Sequence, residues 1–373
     1  MSQINLNLPT GYNRCSTAQL QAIAEIMADR GLHTSRLHPY DQFEVKVAVF
    51  FRLTGIEVVQ SINSSVPVED QYYTCRLRPY TLDEEHKCLF RVLRCYRRFK
   101  AWFIRQILGY DDTFPLYLWQ INYWLTPHQN ILSGKTIPGL LDWLDADSKD
   151  SLLRFPFPSV IRHGSRWYSS KVEFHGPNAF MDGFTWRRYR FAQDFMQVYV
   201  DNHNRLLTIQ QQGNKASAND VLKAIQQYDL AKAMFLATLF SRRIHYVDEE
   251  TGQQQYDFHY QSNQHSANIF YFRNFSEPDF QLILLWWQGT MHFLQRTYPK
   301  VFRKQNVKGN KKPVNPLELY TRTTATMEKH LHINAANVDS EPYTTILQHL
   351  EDITHHNEEV EKMNKQMKRN RHK

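Results

Sequence analysis

The sequence has no hydrophobic run long enough to cross a membrane. A membrane-spanning helix requires about 18 consecutive apolar residues, and the nearest approach to one, residues 282–287, is interrupted at once by Gln288 and Gly289. The opening residues MSQINLNLPT carry neither a basic region nor a continuous apolar region, so they do not predict a secretory signal. We therefore expect a cytoplasmic protein with no membrane partner.

Cysteine is scarce, with four residues at Cys15, Cys75, Cys88 and Cys95. None forms a CxxC pair or lies beside a histidine at the spacing of a zinc finger. If Cys88 and Cys95 share a helix, two helical turns separate their backbones by about 10 Å, which is beyond the reach of a disulfide. We interpret the cysteines as structural thiols.

The motifs of common hydrolases and nucleotide-binding enzymes are missing. The sequence contains no GxSxG, HExxH or GxGxxG, and no Ser/His/Asp or Cys/His set at a familiar spacing. Residues 133–136 include the GKT of a phosphate-binding loop, but Gln129 occupies the position at which that loop requires glycine. We expect no catalytic residue, no cofactor and no enzymatic activity, and only a site assembled from distant residues stays open as an exception.

Two patterns resemble metal sites incompletely. Residues 145–150 space their carboxylates like a calcium loop, but a lysine and an aspartate replace a ligand and the required glycine. Three polar residues share one face of the last predicted helix, where they resemble a set of metal ligands, His349, Asp352 and His356, with His355 alongside. The polar face of an exposed helix explains the same residues, so we expect no bound metal.

The composition is that of a folded protein. Hydrophobic residues make up 42% of the chain, charged residues 22% and aromatic residues 14%. Aromatic side chains at that density require burial, which excludes a disordered chain. The 45 basic and 37 acidic residues leave a formal net charge of +8, which is modest for 373 residues. At roughly 150 residues per domain, the chain is long enough for about two to three domains.

Capping signals and apolar spacing predict many helices. Ser16–Gln19 and Thr81–Glu84 are capping boxes, in which the first and last side chains satisfy backbone N–H groups at a helix start. The second box opens a helix that we expect to run to Leu108 and to be the longest of the chain. Another helix starts at Ser276 and is apolar nearly all round at 282–287, so we predict that it is the central core element.

Strands are predicted only in small antiparallel pieces. Residues 56–77 and 243–260 each have the pattern of a hairpin. We therefore predict a mainly α (α+β) fold, a helix-rich globular body with small antiparallel hairpins and a C-terminal amphipathic helix. The predicted organisation is an N-terminal helical domain (1–150), a central aromatic-rich domain (151–300), a basic linker with a short helix (301–340) and a heptad-patterned helix (341–373).

The last helix has a candidate surface for a partner. From Pro342 onward, apolar residues recur in alternating steps of three and four, which is a heptad seam. Such a seam pairs with a partner helix or with a second copy of the chain. Asn364 also falls on it, and the positions that we predict to bind a partner are Tyr343, Ile346, Leu350, Ile353, Asn357, Val360 and Met367.

The helix that opens at Thr81 also carries cations at helical spacing, which we expect to form a stripe beside its apolar face. The members of this basic stripe are Lys87, Arg91, Arg94, Arg98 and Arg105. A second basic cluster lies in residues 300–312. Aligned cations next to aromatic residues can hold phosphates, so nucleic-acid binding is the alternative function. Snorkelling arginines that pair with surface acids account for the stripe equally well.

Several local strings resemble a family of uncharacterised proteins encoded in the tail-gene clusters of tailed phages and prophages. The strings are LPT at 8–10 with CSTAQL at 15–20, LWQINYW at 118–124, FPFP at 155–158, the GP turn at 176–177 ahead of WRRYR at 186–190, LATLF at 236–240 and LWW at 285–287. The resemblance covers most of residues 8–300. None of these strings is a chemical motif, and the resemblance carries no site residue over to this chain.

The resemblance implies a non-enzymatic role in phage tail morphogenesis, in the cytoplasm of a bacterial host. There, a chaperone-type assembly protein shields a long, helical tape-measure protein until the tail tube polymerises. We therefore expect a helical protein partner, with nucleic acid as the alternative and with self-association of the chain left open.

Overall fold

The computed structural model describes most of the chain. The described residues are 8–29, 39–60, 66–78, 81–85, 90–108, 113–130, 133–145, 151–157, 159–162, 172–212, 217–247, 254–303, 316–332 and 334–371. They form two compact units, each built from two segments of the chain. The first unit takes Met1–Pro156 and Ser276–Gly289, and the second takes Phe157–Phe275 and Thr290–Lys373.

Helices dominate both units. In chain order they are α1 (Thr17–Asp29), α2 (Pro39–Thr54), α3 (Leu82–Glu85), α4 (Phe90–Leu108), α5 (Leu118–Leu125), α6 (Trp186–Gln212), α7 (Ala218–Leu239), α8 (His265–Phe272), α9 (Glu277–Thr297), α10 (Pro316–Leu331), α11 (Ala335–Ser340) and α12 (Tyr343–Arg371). No helix within the described ranges combines the length and the apolar character that a membrane crossing needs.

The strands are short and pair antiparallel. They are β1 (Ile56–Gln60), β2 (Tyr72–Leu77), β3 (Phe114–Tyr117), β4 (His128–Gln129), β5 (Thr136–Ile137), β6 (Ser159–Arg162), β7 (Val172–His175), β8 (Ser241–Val247) and β9 (Gln254–His259). The first unit contains a sheet of order β1-β2-β3 and the hairpin β4-β5, and the second contains a sheet of order β6-β7-β8-β9. The predicted class, a helix-rich α+β fold with small antiparallel sheets, is confirmed.

Neighbouring strands of the small sheets pair in defined antiparallel registers. In the first unit, Ile56 lies opposite Leu77 and Cys75 lies opposite Phe114. In the second unit, β8 and β9 pair along their full lengths, from Arg242 opposite His259 to Val247 opposite Gln254. Both predicted hairpins are therefore present.

The core of the first unit is organised around the first half of α9. Trp286 is fully buried, its indole N–H donates to the Leu153 carbonyl at 3.2 Å, and its ring meets Phe155 edge to face at a centroid distance of 4.7 Å. The neighbouring Leu282 and Ile283 are buried as well. The prediction that this helix is a central core element is confirmed, and burial on every side explains why its sequence is apolar nearly all round.

In the second unit, α6 packs along α7, and the buried residues of α7 include several small side chains. Ala224, Ala231 and Ala233 of α7 are buried, and alanine keeps high helix propensity while adding little bulk. Larger side chains meet as well: the Tyr199 and Tyr228 rings lie 5.4 Å apart and are tilted relative to each other. The buried residues of α7 concentrate in its C-terminal half, from Ala231 to Leu239.

Arg188 of α6 is buried in the second unit and closes the C-terminal end of α7. Its Nε donates to the Thr238 carbonyl at 2.9 Å and its Nη2 to the Leu239 carbonyl at 2.8 Å. The last carbonyls of a helix have no partner within the helix, so these bonds satisfy acceptors that would otherwise be buried unpaired. The guanidinium also lies over the rings of Phe184 and Tyr260, at 4.0 and 4.6 Å from their centroids.

The helix starts confirm both predicted capping boxes, whereas one predicted length is wrong. Ser16 and Gln19 exchange side-chain and backbone bonds of 2.8 and 3.2 Å, and Thr81 and Glu84 do the same at 3.0 and 3.3 Å. The prediction of one continuous helix from Thr81 to Leu108 depends on residues 86–89, which lie outside the described residues. Even if it were continuous from Leu82 to Leu108, this helix would have 27 residues (82–108), fewer than the 29 of α12, so the expectation that it is the longest is wrong.

Candidate functional site

Helix α4 exposes large apolar side chains along one face. This exposed ridge consists of Val92 (72% exposed), Tyr96 (63%), Phe99 (61%), Phe103 (43%) and Ile107 (61%). Their spacing of four, three, four and four residues places them on one side of the helix. Isolated exposed apolar residues are ordinary, but five that adjoin on one helix face form a patch of the kind that marks an interaction site.

The opposite side of α4 is the one that packs against its own unit. Arg97, Ala101 and Ile104 are only partly exposed, and Arg97 forms an ion pair of 2.8 Å with Glu84. The helix is thus attached by the side that carries charge and small residues. The apolar face that the sequence pattern identifies is turned away from the protein, which hydrophobic spacing alone does not reveal.

The basic stripe is only partly described. Lys87 lies outside the described residues, whereas Arg91, Arg94, Arg98 and Arg105 lie on α4, and Arg98 is exposed. At about 100° per residue, these four positions fall roughly 150° around the helix axis from the exposed ridge. The exposed Trp102 lies between the ridge and these positions on the helix, so the stripe adjoins exposed apolar surface on that side, and its place beside the apolar face stays a prediction. Its contact with nucleic acid stays a prediction.

The heptad seam of α12 divides into two parts with different environments. Its first positions belong to the core of the second unit: Tyr343 and Ile346 are fully buried. The Tyr343 ring stacks on Tyr189 at a centroid distance of 4.8 Å, and its hydroxyl donates to the Phe180 carbonyl. Burial raises the pKa of Tyr343, so this hydroxyl keeps its proton at neutral pH. These two seam positions are therefore occupied by the fold and are not available to a partner.

The attachment of α12 continues as far as Glu358. The Glu351 carboxylate accepts bonds from the backbone N–H groups of Lys300 and Val301 at 2.9 and 3.0 Å. Two turns further, Glu358 pairs with Arg303 at 2.8 Å. The seam positions Leu350 and Ile353 are half-buried along this stretch, and Asn357 is exposed.

Beyond Glu358, α12 is exposed on every side through residue 367. Charge order supports the helix there, because glutamates precede lysines by four residues, as in the pair Glu361 and Lys365 at 3.5 Å. Its apolar side chains form what we call the terminal stripe: Val360 (36% exposed), Met363 (53%) and Met367 (54%). A heptad falls about 20° short of two turns, so the stripe has drifted off the face that holds Tyr343.

The other groups that sequence analysis considered for chemistry have structural surroundings. Gly134, at φ +63°, lies in the turn of the β4-β5 hairpin, and Thr136 is the first residue of β5. A phosphate-binding loop leads into a helix N-terminus, so the interpretation of this GKT as an ordinary turn is confirmed. In the potential calcium loop, Asp145 pairs with Lys46 at 2.8 Å, and residues 146–150 lie outside the described residues.

The cysteine and histidine side chains described next either pack against other residues of the fold or lie alone on the surface. Cys15 and Cys75 are buried, and burial raises the pKa of Cys75 to about 11, which leaves its thiol protonated and unreactive. Cys95 is exposed on α4, so the structural interpretation does not extend to it. The His265 ring stacks on Phe195 at 4.9 Å, and burial lowers its pKa, so it is neutral at pH 7.

The histidines of α12 do not assemble with other ligands in the part of the chain that is described. His349 packs edge to face on His330, with ring centroids 5.6 Å apart. Across the described ranges, no group of three or more His, Cys, Asp or Glu side chains is placed to hold a metal ion.

Comparison with known proteins adds no relative. No protein-family model matches the chain, and neither a curated protein nor a solved structure matches it. The resemblance to phage tail-cluster proteins therefore stays a prediction.

The structure adds two features that sequence reasoning missed. Met363 belongs to the terminal stripe, although the heptad assigned the neighbouring Asn364 to the seam. For α4, the sequence pattern predicted an apolar face, but it did not indicate that this face is exposed. A signal for both was present: Phe90–Leu108 contains six arginines and lysines and no acid, and residues 358–371 are strongly charged, so neither helix has the composition of a core helix.

Proposed function

We propose that the chain is a non-enzymatic assembly protein of the chaperone type that binds a long helical partner, of the tape-measure kind, during phage tail morphogenesis in a bacterial cytoplasm. The terminal stripe of α12 is the observation that carries this proposal. It presents Val360, Met363 and Met367 at helical spacing on a helix whose docked part ends at Glu358.

The chemistry of the stripe suits a helical partner. Methionine side chains are flexible and polarisable, so they adapt to the uneven surface of another helix. Positions spaced by three and four residues are those that insert between the side chains of a facing helix. Because the helix is exposed all round here, a partner can pair with it without displacing the contacts of Tyr343 or Glu351.

The test compares three full-length proteins in co-expression with the tape-measure-like protein of the same phage or prophage. Substitution of the stripe, Val360→Gln with Met363→Gln and Met367→Gln, removes the apolar contacts and keeps good helix formers. We expect the native chain to co-purify with the partner and to raise its soluble fraction. We expect the stripe variant to lose at least about tenfold in affinity, since burial of each such side chain is worth about 1.5–3 kcal/mol.

The matched control is Lys362→Ala with Gln366→Ala, which alters two exposed positions on the same helical turns but off the stripe. This variant is expected to bind like the native chain. Partner capture by the stripe variant at native strength contradicts the proposal. A stripe variant that differs from the native chain only in self-association also contradicts the proposal, because the stripe would then make contacts between copies of this chain.

A further inference from the structure

We propose that α4 is a membrane-surface helix, which inserts its exposed ridge into the outer layer of a bilayer containing anionic lipid. The proposal is independent of the terminal stripe. It departs from the expectation of no membrane partner, which was based on the lack of a spanning segment. A helix that lies in the plane of the bilayer surface needs no such segment.

The side chains of the ridge are those that enter the boundary between headgroups and acyl chains. Aromatic rings favour this boundary, and here Tyr96, Phe99 and Phe103 form the middle of the ridge, with Val92 and Ile107 at its ends. From Val92 to Ile107 the ridge extends about 22 Å along the helix axis. The least exposed described side chains of α4, Arg97, Ala101 and Ile104, lie on the other side of the helix, and Arg97 pairs with Glu84, so the ridge is accessible to a flat surface.

The positive charge of α4 favours a membrane surface that contains anionic lipid. The segment Phe90–Leu108 contains six cations and no acid, a local charge of +6 in a chain whose total is +8. Lys100 is exposed at one edge of the ridge, and Arg98 is exposed on the other side, next to the exposed Trp102. Long basic side chains beside an apolar face extend to lipid phosphates, and cations near an anionic surface are attracted to it.

Two other occupants fit the ridge less well. A second copy of α4 brings a further six cations to the contact, so like charges oppose self-pairing. Nucleic acid requires cations at the contact surface, but the exposed ridge itself consists of Val92, Tyr96, Phe99, Phe103 and Ile107. A bilayer with anionic lipid matches the apolar ridge and the cationic flanks together.

The test is co-sedimentation of the full-length chain with vesicles of two compositions. One is an equal mixture of phosphatidylglycerol and phosphatidylcholine, and the other is phosphatidylcholine alone. We expect the native chain to bind the anionic vesicles at least about tenfold more strongly, and added salt to weaken this binding through screening.

Two variants separate the apolar and ionic contributions. Phe99→Gln with Phe103→Gln is expected to lower the partition onto anionic vesicles at least about tenfold, because two inserted rings are lost. Arg98→Gln with Lys100→Gln is expected to lower it roughly tenfold on anionic vesicles and to leave binding to neutral vesicles unchanged. The control is Leu222→Gln with Ile225→Gln, an exposed apolar pair on α7, and it is expected to bind like the native chain.

All these positions are exposed, so circular dichroism and thermal melting should show the native fold in each variant. Failure of the native chain to sediment with anionic vesicles at low salt overturns the proposal. Native-strength binding by the Phe99 and Phe103 variant does so too. A gel shift with duplex DNA by a chain that does not sediment with vesicles assigns α4 to nucleic acid. If the native chain does not bind vesicles and the Phe99 and Phe103 variant loses binding to a partner protein, the ridge of α4 is a protein-binding surface.

Discussion

Arg188 shows how a single charged residue can be stable in a protein interior. Burial lowers the pKa of Arg188 to about 9, which is still far enough above neutrality for the guanidinium to be charged at pH 7. Its charge is met by the carbonyl dipoles of Thr238 and Leu239 and by the faces of two rings. The fork of the guanidinium, which points two N–H groups at two adjacent carbonyls, is what makes arginine suitable at this position.

We predict that Arg188→Lys lowers the free energy of unfolding by about 2–4 kcal/mol, because an ammonium group does not reproduce two parallel bonds and leaves a buried carbonyl unpaired. Urea denaturation followed by circular dichroism measures the change. Arg205→Lys is the control: Arg205 is exposed on the same helix and donates to the Gln227 side chain at 2.8 Å, and substitutions at exposed positions usually change the free energy of unfolding by no more than about 0.5 kcal/mol. Equal effects at the two positions would contradict the prediction.

At the scale of the element, α9 contains a glycine that helix propensity alone would discourage. A Cβ atom at Gly289 would lie 2.5 Å from the Leu152 carbonyl oxygen and 3.1 Å from the Leu152 amide nitrogen. Backbone atoms cannot move aside as the end of a flexible side chain can. Gly289 is therefore the point at which the helix and the segment around Leu152 come into contact.

We predict that Gly289→Ala destabilises the protein by about 1–3 kcal/mol, although alanine at an unconstrained helix position is more favourable than glycine by about 1 kcal/mol. The overlap with Leu152 outweighs the gain in propensity. Differential scanning calorimetry should show a lower melting temperature. Gln295→Ala, at an exposed position of the same helix, is expected to change the free energy of unfolding by no more than about 0.5 kcal/mol. A stabilising effect of Gly289→Ala would show that the close approach is not maintained in solution.

Local sequence predicted the elements better than it predicted their surroundings. The capping boxes at Ser16 and Thr81 were predictable because both partners lie within four residues. The heptad of α12 was predictable as spacing, but the same pattern covers Tyr343, which is buried, and Met367, which is 54% exposed. Spacing determines which residues share a face, whereas burial depends on elements far away in the chain, such as Tyr189 on α6.

At the scale of the whole molecule, each unit combines segments that are distant in sequence. The first unit includes Ser276–Gly289, which lies within the range 151–300 that composition assigned to a central domain. A division read along the chain follows changes in composition, such as the proline-rich run 155–158. It contains no information about a later helix that returns to an earlier core, because that contact depends on packing and not on any local signal.

We predict that residues 1–156 alone do not form a native unit. Without α9 they lack Trp286, whose fully buried ring packs on Phe155 and whose N–H bonds to the Leu153 carbonyl. Removal of a single large core side chain costs about 3–5 kcal/mol, and this fragment loses several. Because a typical domain is stable by only about 5–15 kcal/mol, the loss should abolish cooperative unfolding. Thermal melting measures whether the fragment unfolds cooperatively, and binding of a hydrophobic dye measures whether its apolar side chains are exposed.

The same fragment joined by a long glycine- and serine-rich linker to residues 276–297 provides the matched comparison. The linker costs little, since the entropy of loop closure grows only slowly with length, and the segment restores Trp286 together with Leu282 and Ile283. A cooperative transition in the joined protein and its absence in the fragment are the expected pair of results. A cooperative transition of the isolated fragment at the temperature of the full chain would mean that α9 is not needed by the first core. In that case the contacts of Trp286 would be a consequence of that unit's folding and not a condition for it.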